Sequence, residues 1–267
     1  MNIPTTRQLV DLSGKKFLVI GGARTLGHDM ATALAEFGAE GIVTSRNEAS
    51  AVTAAQKISA ATGSTIHGLA LDAGDESAVR AGIASAIATL GRIDILINNV
   101  GGGIKAEPRL EIRPLEAWEA VQRVNVTAPF LVCKHVAPGM IAQRSGSIIN
   151  IASIAGLIGR DRRVYPAEMP AQSIDYAAAK GAIIAMTRDL AAYLGPHGVR
   201  ANVISPGGFE RGQPPAFIHA YSDKTPLRRM GRDGVDLKGA AVFLASEAAA
   251  FVTGHNLVVD GGFSTWQ

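Results

Sequence analysis

Short apolar runs that alternate with longer helical segments constrain the fold of this chain more than any other feature. The first run, residues 17–20, leads through a Gly-rich turn into an Ala-rich helical segment. Six further runs follow, at residues 41–44, 66–71, 93–97, 147–152, 199–204 and 257–260. Continuous apolar runs are typical of strands buried on both faces, and helices connect such strands in parallel order. We therefore predict an α/β fold with a doubly wound parallel sheet of about seven strands and helices on both faces.

One sheet of this size uses the whole chain, residues 1–267, as a single domain. No linker, repeat or low-complexity tract interrupts the pattern. The longest helical segment, residues 115–142, contains Pro129 and Pro138. Because proline disrupts the interior of a helix, we expect this segment to bend or split.

Composition excludes several classes of protein. The chain is 47% hydrophobic and 18% charged, which is typical of a folded globular protein. Its single cysteine, Cys133, rules out a disulfide framework or a multi-cysteine metal site, so we expect no metal and a reducing, cytoplasmic compartment. A net charge of +3 without a long Lys/Arg run argues against nucleic acid. Neither a signal peptide nor an apolar run of about 18 residues is present, so we expect no membrane partner.

The first strand opens into the turn Gly21-Gly22-Ala23-Arg24-Thr25-Leu26-Gly27, which precedes a helix. Glycines in such a turn let the backbone approach a pyrophosphate, and free N–H groups at the helix N-terminus face the anion. The turn therefore indicates a dinucleotide site, although an ordinary tight turn explains a Gly-rich sequence equally well.

The end of the second strand bears on the choice of cofactor. An acidic residue there binds the ribose 2′-hydroxyl of NAD, but this chain has Ser45 followed by Arg46. Arg24 in the first turn lies within reach of the same ribose. Two guanidinium groups without a carboxylate favour the 2′-phosphate of NADP(H). The alternative is that both arginines are simply solvated surface residues.

Tyr176 and Lys180 are four residues apart in a helical segment, so both side chains lie on one helix face. A nearby cation lowers the pKa of a phenol, which would make Tyr176 a proton donor and acceptor. The spacing alone is common and also fits an ordinary helix surface. A rival phenol, Tyr165, has Met169 four residues later and therefore lacks the cation.

Several motifs in the right order give the chain a resemblance to the short-chain dehydrogenase/reductase family from about Leu12 to Phe263. The matching motifs are Asn98-Asn99-Val100-Gly101, Asn125, Ser153, Tyr176 with Lys180, Ser205-Pro206-Gly207-Gly208 and Val258-Val259-Asp260-Gly261-Gly262. Each motif is weak by itself, but together they are specific.

The resemblance implies four catalytic residues. Tyr176 would exchange a proton with the substrate oxygen, and Ser153 would orient that oxygen. Lys180 would bind the nicotinamide ribose and lower the Tyr176 pKa, while Asn125 would hold a water that relays protons to solvent. A hydride would come from the nicotinamide.

The predicted cofactor site combines the residue patterns with the resemblance. Asp72, at the end of the third strand, would meet the adenine or would serve only as a turn or helix-capping residue. Thr25 departs from the family, which usually has glycine there; its Cβ would crowd the pyrophosphate, or its hydroxyl would bond to it. The full set is Gly21, Arg24, Thr25, Leu26, Gly27, Ser45, Arg46, Asp72, Asn99, Gly101, Tyr176, Lys180, Pro206 and Gly207.

Two segments are predicted to border the substrate. Residues 154–175 are tied at both ends to predicted catalytic residues, and residues 208–230 lie where the family closes over its substrate. The predicted substrate-binding residues are Ser153, Arg160, Arg162, Arg163, Phe209 and Arg211. The alternative for the three loop arginines is a solvated or subunit-contacting loop.

These observations predict an NADP(H)-dependent enzyme that interconverts a ketone and a secondary alcohol. We expect a polar substrate such as a sugar acid or polyol, as in gluconate 5-dehydrogenase-like members of the family. One alternative is a 3-oxoacyl-thioester reductase that meets an acidic carrier protein. A different class, the non-catalytic NADP(H) sensor or scaffold, would not need Tyr176 and Lys180. The resemblance also implies a homo-oligomer, either a dimer or a tetramer.

Overall fold

The structure, a computed structural model, describes residues 3–103 and 107–266. Its strands are β1 (Lys16–Ile20), β2 (Glu40–Ser45), β3 (Ile66–Ala70), β4 (Ile95–Asn98), β5 (Gly146–Ile151), β6 (Val199–Pro206), β7 (Phe209–Glu210), β8 (Gly231–Arg232) and β9 (Asn256–Val259). Seven of them form one parallel sheet in the order β3-β2-β1-β4-β5-β6-β9. Strands β7 and β8 form a separate short pair. The predicted doubly wound parallel sheet is therefore confirmed.

Helices connect these strands. They are α1 (Thr6–Leu9), α2 (Thr25–Glu36), α3 (Glu48–Thr62), α4 (Glu76–Leu90), α5 (Leu115–Gln122), α6 (Ala128–Gln143), α7 (Ile174–Leu194), α8 (Pro215–Lys224) and α9 (Lys238–Ala245). Local sequence sets several of their ends. Asn47 and Asp75 accept hydrogen bonds from the first turns of α3 and α4, and Gly63 ends α3 in the left-handed conformation.

Alternate strand residues bury their side chains on opposite faces of the sheet. Phe17 and Val19 of β1 join one apolar cluster with α2, α3 and α9. Leu18 and Ile20 join a second cluster with α4, α6 and α7. Both faces are therefore covered, which explains why the strands read as continuous apolar runs in the sequence.

The sheet reverses its winding between β1 and β4, because β2 and β3 lie on one side of β1 and the later strands on the other. Ligands of open α/β sheets bind at such a switch point, outside the carboxyl ends of the strands. The turn after β1 and the turn after β4 both lie there, so the fold brings residues 21–27 and 98–103 to one place.

The long helix predicted over residues 115–142 extends to residue 143 and widens in the middle. Residues Arg123–Thr127 form a π-helical turn between α5 and α6, in which the Ala128 N–H donates to the Arg123 carbonyl. Pro129, the second residue after this turn, lacks the N–H that an α-helix would use there. Pro138 lies inside α6, which continues through it.

Other departures from the sequence-based expectation are local. Strand β4 begins at Ile95 rather than residue 93. Segment 208–230 is not a simple loop, because it contains β7 and the ten-residue helix α8. Helix α9, absent from the prediction, packs against α2 through Leu237, Ala241 and Leu244.

Candidate active site

Two connected hollows lie above the carboxyl ends of the strands. A cleft of about 500 Å³ runs over the ends of β1, β2 and β4, and it continues into a chamber beside β5 and α7. A second pocket of about 240 Å³ adjoins that chamber at Ser153, Tyr176 and Gly207. We call the first hollow, together with its chamber, the cleft. We call the second hollow the side pocket.

The predicted cofactor residues gather around the cleft and its chamber. With the exception of Gly27, the walls include Gly21, Arg24, Thr25, Leu26, Ser45, Arg46, Asp72, Asn99, Gly101, Tyr176, Lys180, Pro206 and Gly207. Gly27 lies buried beneath the turn. A Cβ there would be 2.3 Å from the Gly21 carbonyl oxygen and 2.5 Å from Asn99 Nδ2. The Asn99 amide donates to that carbonyl at 3.0 Å, so Asn99 and Gly27 together hold the turn in place.

The turn fits a pyrophosphate. Gly21 has a φ of +72°, which glycine adopts without steric cost. Helix α2 begins at Thr25 without a side-chain cap, so its first N–H groups are available to an anion. Thr25 itself has a φ of +48°. This left-handed backbone explains why glycine suits the position, and Thr25 keeps the same backbone at some cost in strain.

The end of the cleft near β2 is basic. Arg24 and Arg46 are exposed and line its wall beside Ser45. Within residues 3–103 and 107–266, neither guanidinium pairs with a carboxylate. Asp72, the acidic residue of the wall, accepts a hydrogen bond from the Gly74 N–H at 2.9 Å. Asp72 thus shapes the turn before α4 while it lines the cleft, and the cap of α4 is Asp75.

Ser153 and the Tyr176–Lys180 pair converge where the chamber meets the side pocket. Ser153 follows β5 and accepts a hydrogen bond from the Ala155 N–H at 3.2 Å. Helix α7 presents Tyr176 and Lys180 on one face, with Lys180 Nζ 5.6 Å from the phenol ring centroid. Lys180 is 4% exposed and donates to the Ile151 carbonyl at 2.9 Å.

The pKa of Tyr176 corrects one expectation. Burial raises it above its ordinary value and outweighs the lowering by the Ser153 hydroxyl and the Arg160 guanidinium. Burial also lowers the pKa of Lys180 to about 8. The net shift is therefore opposite in direction to the predicted depression, and the Lys180 ammonium group bonds to the Ile151 carbonyl instead of the phenol.

Asn125 lies in the π turn and is fully buried behind the chamber wall. Its Oδ1 accepts from the Gly102 N–H at 2.9 Å, and its Nδ2 donates to the Gly102 carbonyl at 2.8 Å. A Cβ on Gly101 would lie 2.7 Å from Asn125 Oδ1 and 2.9 Å from Lys180 Nζ. Asn125 therefore fixes the loop after β4 and approaches the same point as the Lys180 ammonium group.

A buried ion pair supports the start of α7, and nothing in the sequence pattern signalled it. Arg113 Nη2 lies 2.6 Å from Asp175 Oδ2, and the two side chains are 4% and 0% exposed. The other carboxylate oxygen, Oδ1, accepts from the Tyr176 N–H at 2.8 Å and from the Ser173 hydroxyl. Asp175 thus fixes the backbone of Tyr176 through a hydrogen bond to its buried carboxylate.

The side pocket is mainly apolar. A row of tilted aromatic rings lines it, with centroid distances of 5.1 Å for Tyr165–Phe217 and 5.8 Å for Phe217–Tyr221. Ile154, Ile158, Val164, Met169, Met230 and Phe263 complete the apolar lining. Arg160 is the arginine of segment 154–175 that reaches this pocket, with its Cζ 5.5 Å from the Tyr176 ring centroid.

The other predicted substrate residues lie elsewhere. Arg162 is exposed, and Arg163 has an 87% exposed side chain that pairs with Asp161 at 2.8 Å. Phe209 and Arg211 line the chamber of the cleft instead of the side pocket. Their placement beside Thr25 and Leu26 fits contact with a cofactor better than contact with a substrate.

Asp161 also joins the loop to α8. It accepts from Arg163 and from the Lys224 ammonium group, and both interactions hold its pKa well below the ordinary value. Trp266 donates to the Lys224 carbonyl at 2.7 Å. These contacts tie together the two segments that border the side pocket.

The described residues form neither a metal centre nor a membrane-spanning helix. Across residues 3–103 and 107–266, His, Cys, Asp and Glu side chains do not cluster in threes or more at a metal-binding distance. In the same ranges, we find no helix with the length and apolar character to cross a bilayer.

Comparison with known proteins identifies the relatives of this chain. A family model described as enoyl-(acyl carrier protein) reductase matches residues 21–264. Gluconate 5-dehydrogenase of Gluconobacter oxydans is 36% identical over 262 residues, covering 96% of this chain and 97% of the relative. The 3-oxoacyl-acyl-carrier-protein reductase of Chlamydia muridarum is 34% identical over 257 residues, covering 95% and 98%.

Solved structures agree. A short-chain type dehydrogenase/reductase from Mycobacterium marinum superposes with a TM-score of 0.86 at 32% identity, over 98% of this chain and 99% of the other. A gluconate 5-dehydrogenase from Burkholderia cenocepacia, in complex with NADP and tartrate, superposes with a TM-score of 0.88. It is 34% identical, with 98% and 100% of the two chains covered.

Proposed function

The chain belongs to the short-chain dehydrogenase/reductase family and is an oxidoreductase, and we propose that it interconverts a ketone and a secondary alcohol with NADP(H). The observation that carries this proposal is the convergence of Ser153, Tyr176 and Lys180 where the cleft meets the side pocket. A non-catalytic sensor would need the cleft but not these groups.

The residues of the chain divide the chemistry among them. Tyr176 would give its proton to the carbonyl oxygen, or take one from the alcohol, while the Ser153 hydroxyl orients that oxygen. NADP(H), when bound, supplies or accepts the hydride. Lys180 would hold the nicotinamide ribose, and Asn125 would hold a water behind it that passes protons to solvent.

The preference for NADP(H) over NAD(H) rests on Arg24 and Arg46 at the end of β2. The complex of the Burkholderia cenocepacia relative with NADP supports it. A charge-assisted hydrogen bond to the 2′-phosphate is worth roughly 1.5–3 kcal/mol, or about ten- to a hundredfold in affinity. Titration by nicotinamide fluorescence should therefore show tighter binding of NADPH than NADH, and Arg46→Asp should reverse the order. Equal or better binding of NADH to the wild type would contradict the assignment.

We propose a polar substrate of the sugar-acid or polyol type. The relatives named for gluconate support this class, and one of them was solved in complex with NADP and tartrate. The test is a panel of 5-oxogluconate, gluconate, neutral polyols and neutral ketones with both cofactors. The proposal fails if no sugar acid or polyol is turned over while another class is.

A 3-oxoacyl thioester remains the second candidate, because the apolar side pocket suits an acyl chain better than a polyhydroxylated one. The Chlamydia muridarum relative bears that name. Acetoacetyl thioesters in the same panel separate the two candidates. Activity on the thioester with none on sugar acids would favour the second.

We also propose a cytoplasmic homo-oligomer, a dimer or tetramer. Exposed aromatic side chains on the helices of one face support an association surface: Trp118, Phe130 and Tyr193 are 37%, 51% and 67% exposed. Light scattering gives the mass directly, and a monomer at micromolar concentration would contradict the proposal.

A further inference from the structure

Arg160 holds an unusual position in the side pocket. It lies seven residues after Ser153, and its guanidinium lies over the Tyr176 ring, within the distance of a cation–π contact. The side chain is half-buried in a largely apolar surrounding. A cation in such a place costs free energy unless an anion or several acceptors compensate it.

Hydrogen-bond acceptors of the protein satisfy only one side of the Arg160 guanidinium. Nη1 donates to the Gln172 carbonyl at 2.6 Å and to the Ser173 carbonyl at 3.4 Å. Nη2 is buried and has no hydrogen-bond partner among the described residues. Nε donates to no described residue either, so the Nε–Nη2 edge, which binds carboxylates in bidentate fashion, is unpaired in the protein.

The nearby carboxylates do not serve as counter-ions for Arg160. Asp161 is engaged by Arg163 and Lys224, and Asp175 is engaged by Arg113. The groups that face Arg160 are otherwise the phenols Tyr165 and Tyr176 and the cation Arg162. An anion that enters the side pocket thus meets a positive charge with a free edge.

Two other polar side chains of the pocket are engaged within the protein. Both ends of the Gln213 amide are bonded, to the Phe209 carbonyl and the Arg211 N–H. The Tyr221 hydroxyl accepts from the Gly208 N–H at 2.6 Å. The exposed Gln172 amide also lines the pocket, and Arg160 is the cation among the lining residues.

We propose that Arg160 binds a carboxylate of the substrate, so that the pocket selects oxo acids and hydroxy acids over their neutral counterparts. This inference rests on the proposed ketone–alcohol activity and names the substrate group that the site recognises. The carboxylate would accept hydrogen bonds from Nε and Nη2 of Arg160. The carbonyl of the same molecule would face Tyr176, because the guanidinium lies over the Tyr176 ring.

The test uses matched pairs of short oxo acids and their neutral amides, with NADPH as the reductant. The wild type should prefer each acid over its amide. Arg160→Ala should raise KM for the acid at least tenfold and leave KM for the amide within about twofold. Arg109→Ala is the matched control, because its exposed guanidinium pairs with Glu107 and neither residue lines the pocket, and it should change neither value.

Arg160→Lys provides a second test if the alanine variant fails to fold. It keeps the positive charge but loses the planar guanidinium group, so an intermediate KM for the acid is expected. Equal rises in KM for acid and amide in both variants would overturn the inference, because they would indicate that Arg160 only ties the loop to Gln172 and Ser173. A wild type without preference for acids would overturn it as well.

A binding measurement separates this inference from the proposed function. If no ketone is reduced, the proposed activity fails, and thermal stabilisation of the protein by the same acids still tests Arg160. Stabilisation of the wild type that is lost in Arg160→Ala supports the carboxylate site. No stabilisation of the wild type, with no turnover, overturns it.

Discussion

Arg113 and Asp175 form an ion pair inside the protein, directly before the residue that we propose as the proton donor. Their nearest atoms are 2.6 Å apart, and 62 residues separate them in the chain. Because Asp175 also accepts the Tyr176 N–H, the pair fixes both the start of α7 and the place of the phenol.

Asp175→Asn should destabilise the protein by about 3–5 kcal/mol, since it leaves the Arg113 charge buried without a partner. Turnover should also fall, because the Tyr176 backbone loses a charged acceptor. Urea unfolding measures the change in the free energy of unfolding. Arg109→Ala is the control, because its exposed pair with Glu107 is worth under about 1 kcal/mol. A loss of under 1 kcal/mol in Asp175→Asn would contradict this account.

Tyr176→Phe should lower kcat by roughly 10²–10⁴, the range of general acid–base catalysis, and leave NADPH affinity unchanged. Tyr165→Phe provides the comparison, because Tyr165 is a second phenol that lines the side pocket. Steady-state kinetics on the best substrate and fluorescence titration of the cofactor give both quantities. The assignment is wrong if the Tyr165 variant loses turnover while the Tyr176 variant keeps it.

Lys180 should make the stability of the protein depend on pH. Its pKa is lowered from 10.5 to about 8, so between these values the unfolded chain binds more protons than the folded one. Stability should therefore rise with pH in this window, by up to about 1.4 kcal/mol per unit from this residue. Below pH 8 the folded protein carries the full cost of the buried charge.

Lys180→Met removes that charge. The variant should be more stable than the wild type near pH 7 and should lose the rise between pH 8 and 10.5, while its turnover collapses. Denaturant unfolding of both proteins at pH 7 and 9.5 isolates the residue, because other groups cancel in the difference. Identical pH dependence in the two proteins would show that Lys180 does not titrate there.

Gly27→Ala should damage the cofactor turn, because the new Cβ would lie 2.3 Å from the Gly21 carbonyl oxygen and the backbone must shift. We expect at least a tenfold loss of NADPH affinity and a destabilisation of about 1–3 kcal/mol. Gly239→Ala in α9 is the control, since no atom lies within 4 Å of its added Cβ. It should be neutral or slightly stabilising. Unchanged cofactor binding in Gly27→Ala would show that Gly27 is not needed to shape the cofactor turn.

The sheet was predictable because its central strands are buried on both faces and read as runs of apolar residues, while the edge strands β3 and β9 are only partly buried. The turn after β1 and the Tyr176–Lys180 pair were predictable because local spacing determines them. Helix α8 was missed because only Phe217 and Tyr221 of its residues are buried, which gives a weak periodic signal. Its helical character depends on the apolar cluster beneath it.

Contacts between distant segments were beyond the reach of the sequence. Arg113 and Asp175 come together only after α5 and α7 pack side by side. The three arginines of segment 154–175 look equivalent in the sequence, yet Arg160 alone of the three reaches the side pocket. The direction of the Tyr176 pKa shift also depends on burial, which the four-residue spacing to Lys180 does not report.

The π turn at Arg123–Thr127 makes the number of residues between α5 and α6 a determinant of the site. An α-helix rotates by about 100° per residue. Deletion of one residue from the turn would let a regular helix continue, but α5 would then rotate by that angle relative to α6. Either Ala117 and Val121 would rotate out of the core, or Asn125 would lose its hydrogen bond from the Gly102 N–H. This stretch should therefore tolerate substitution far better than a change in length.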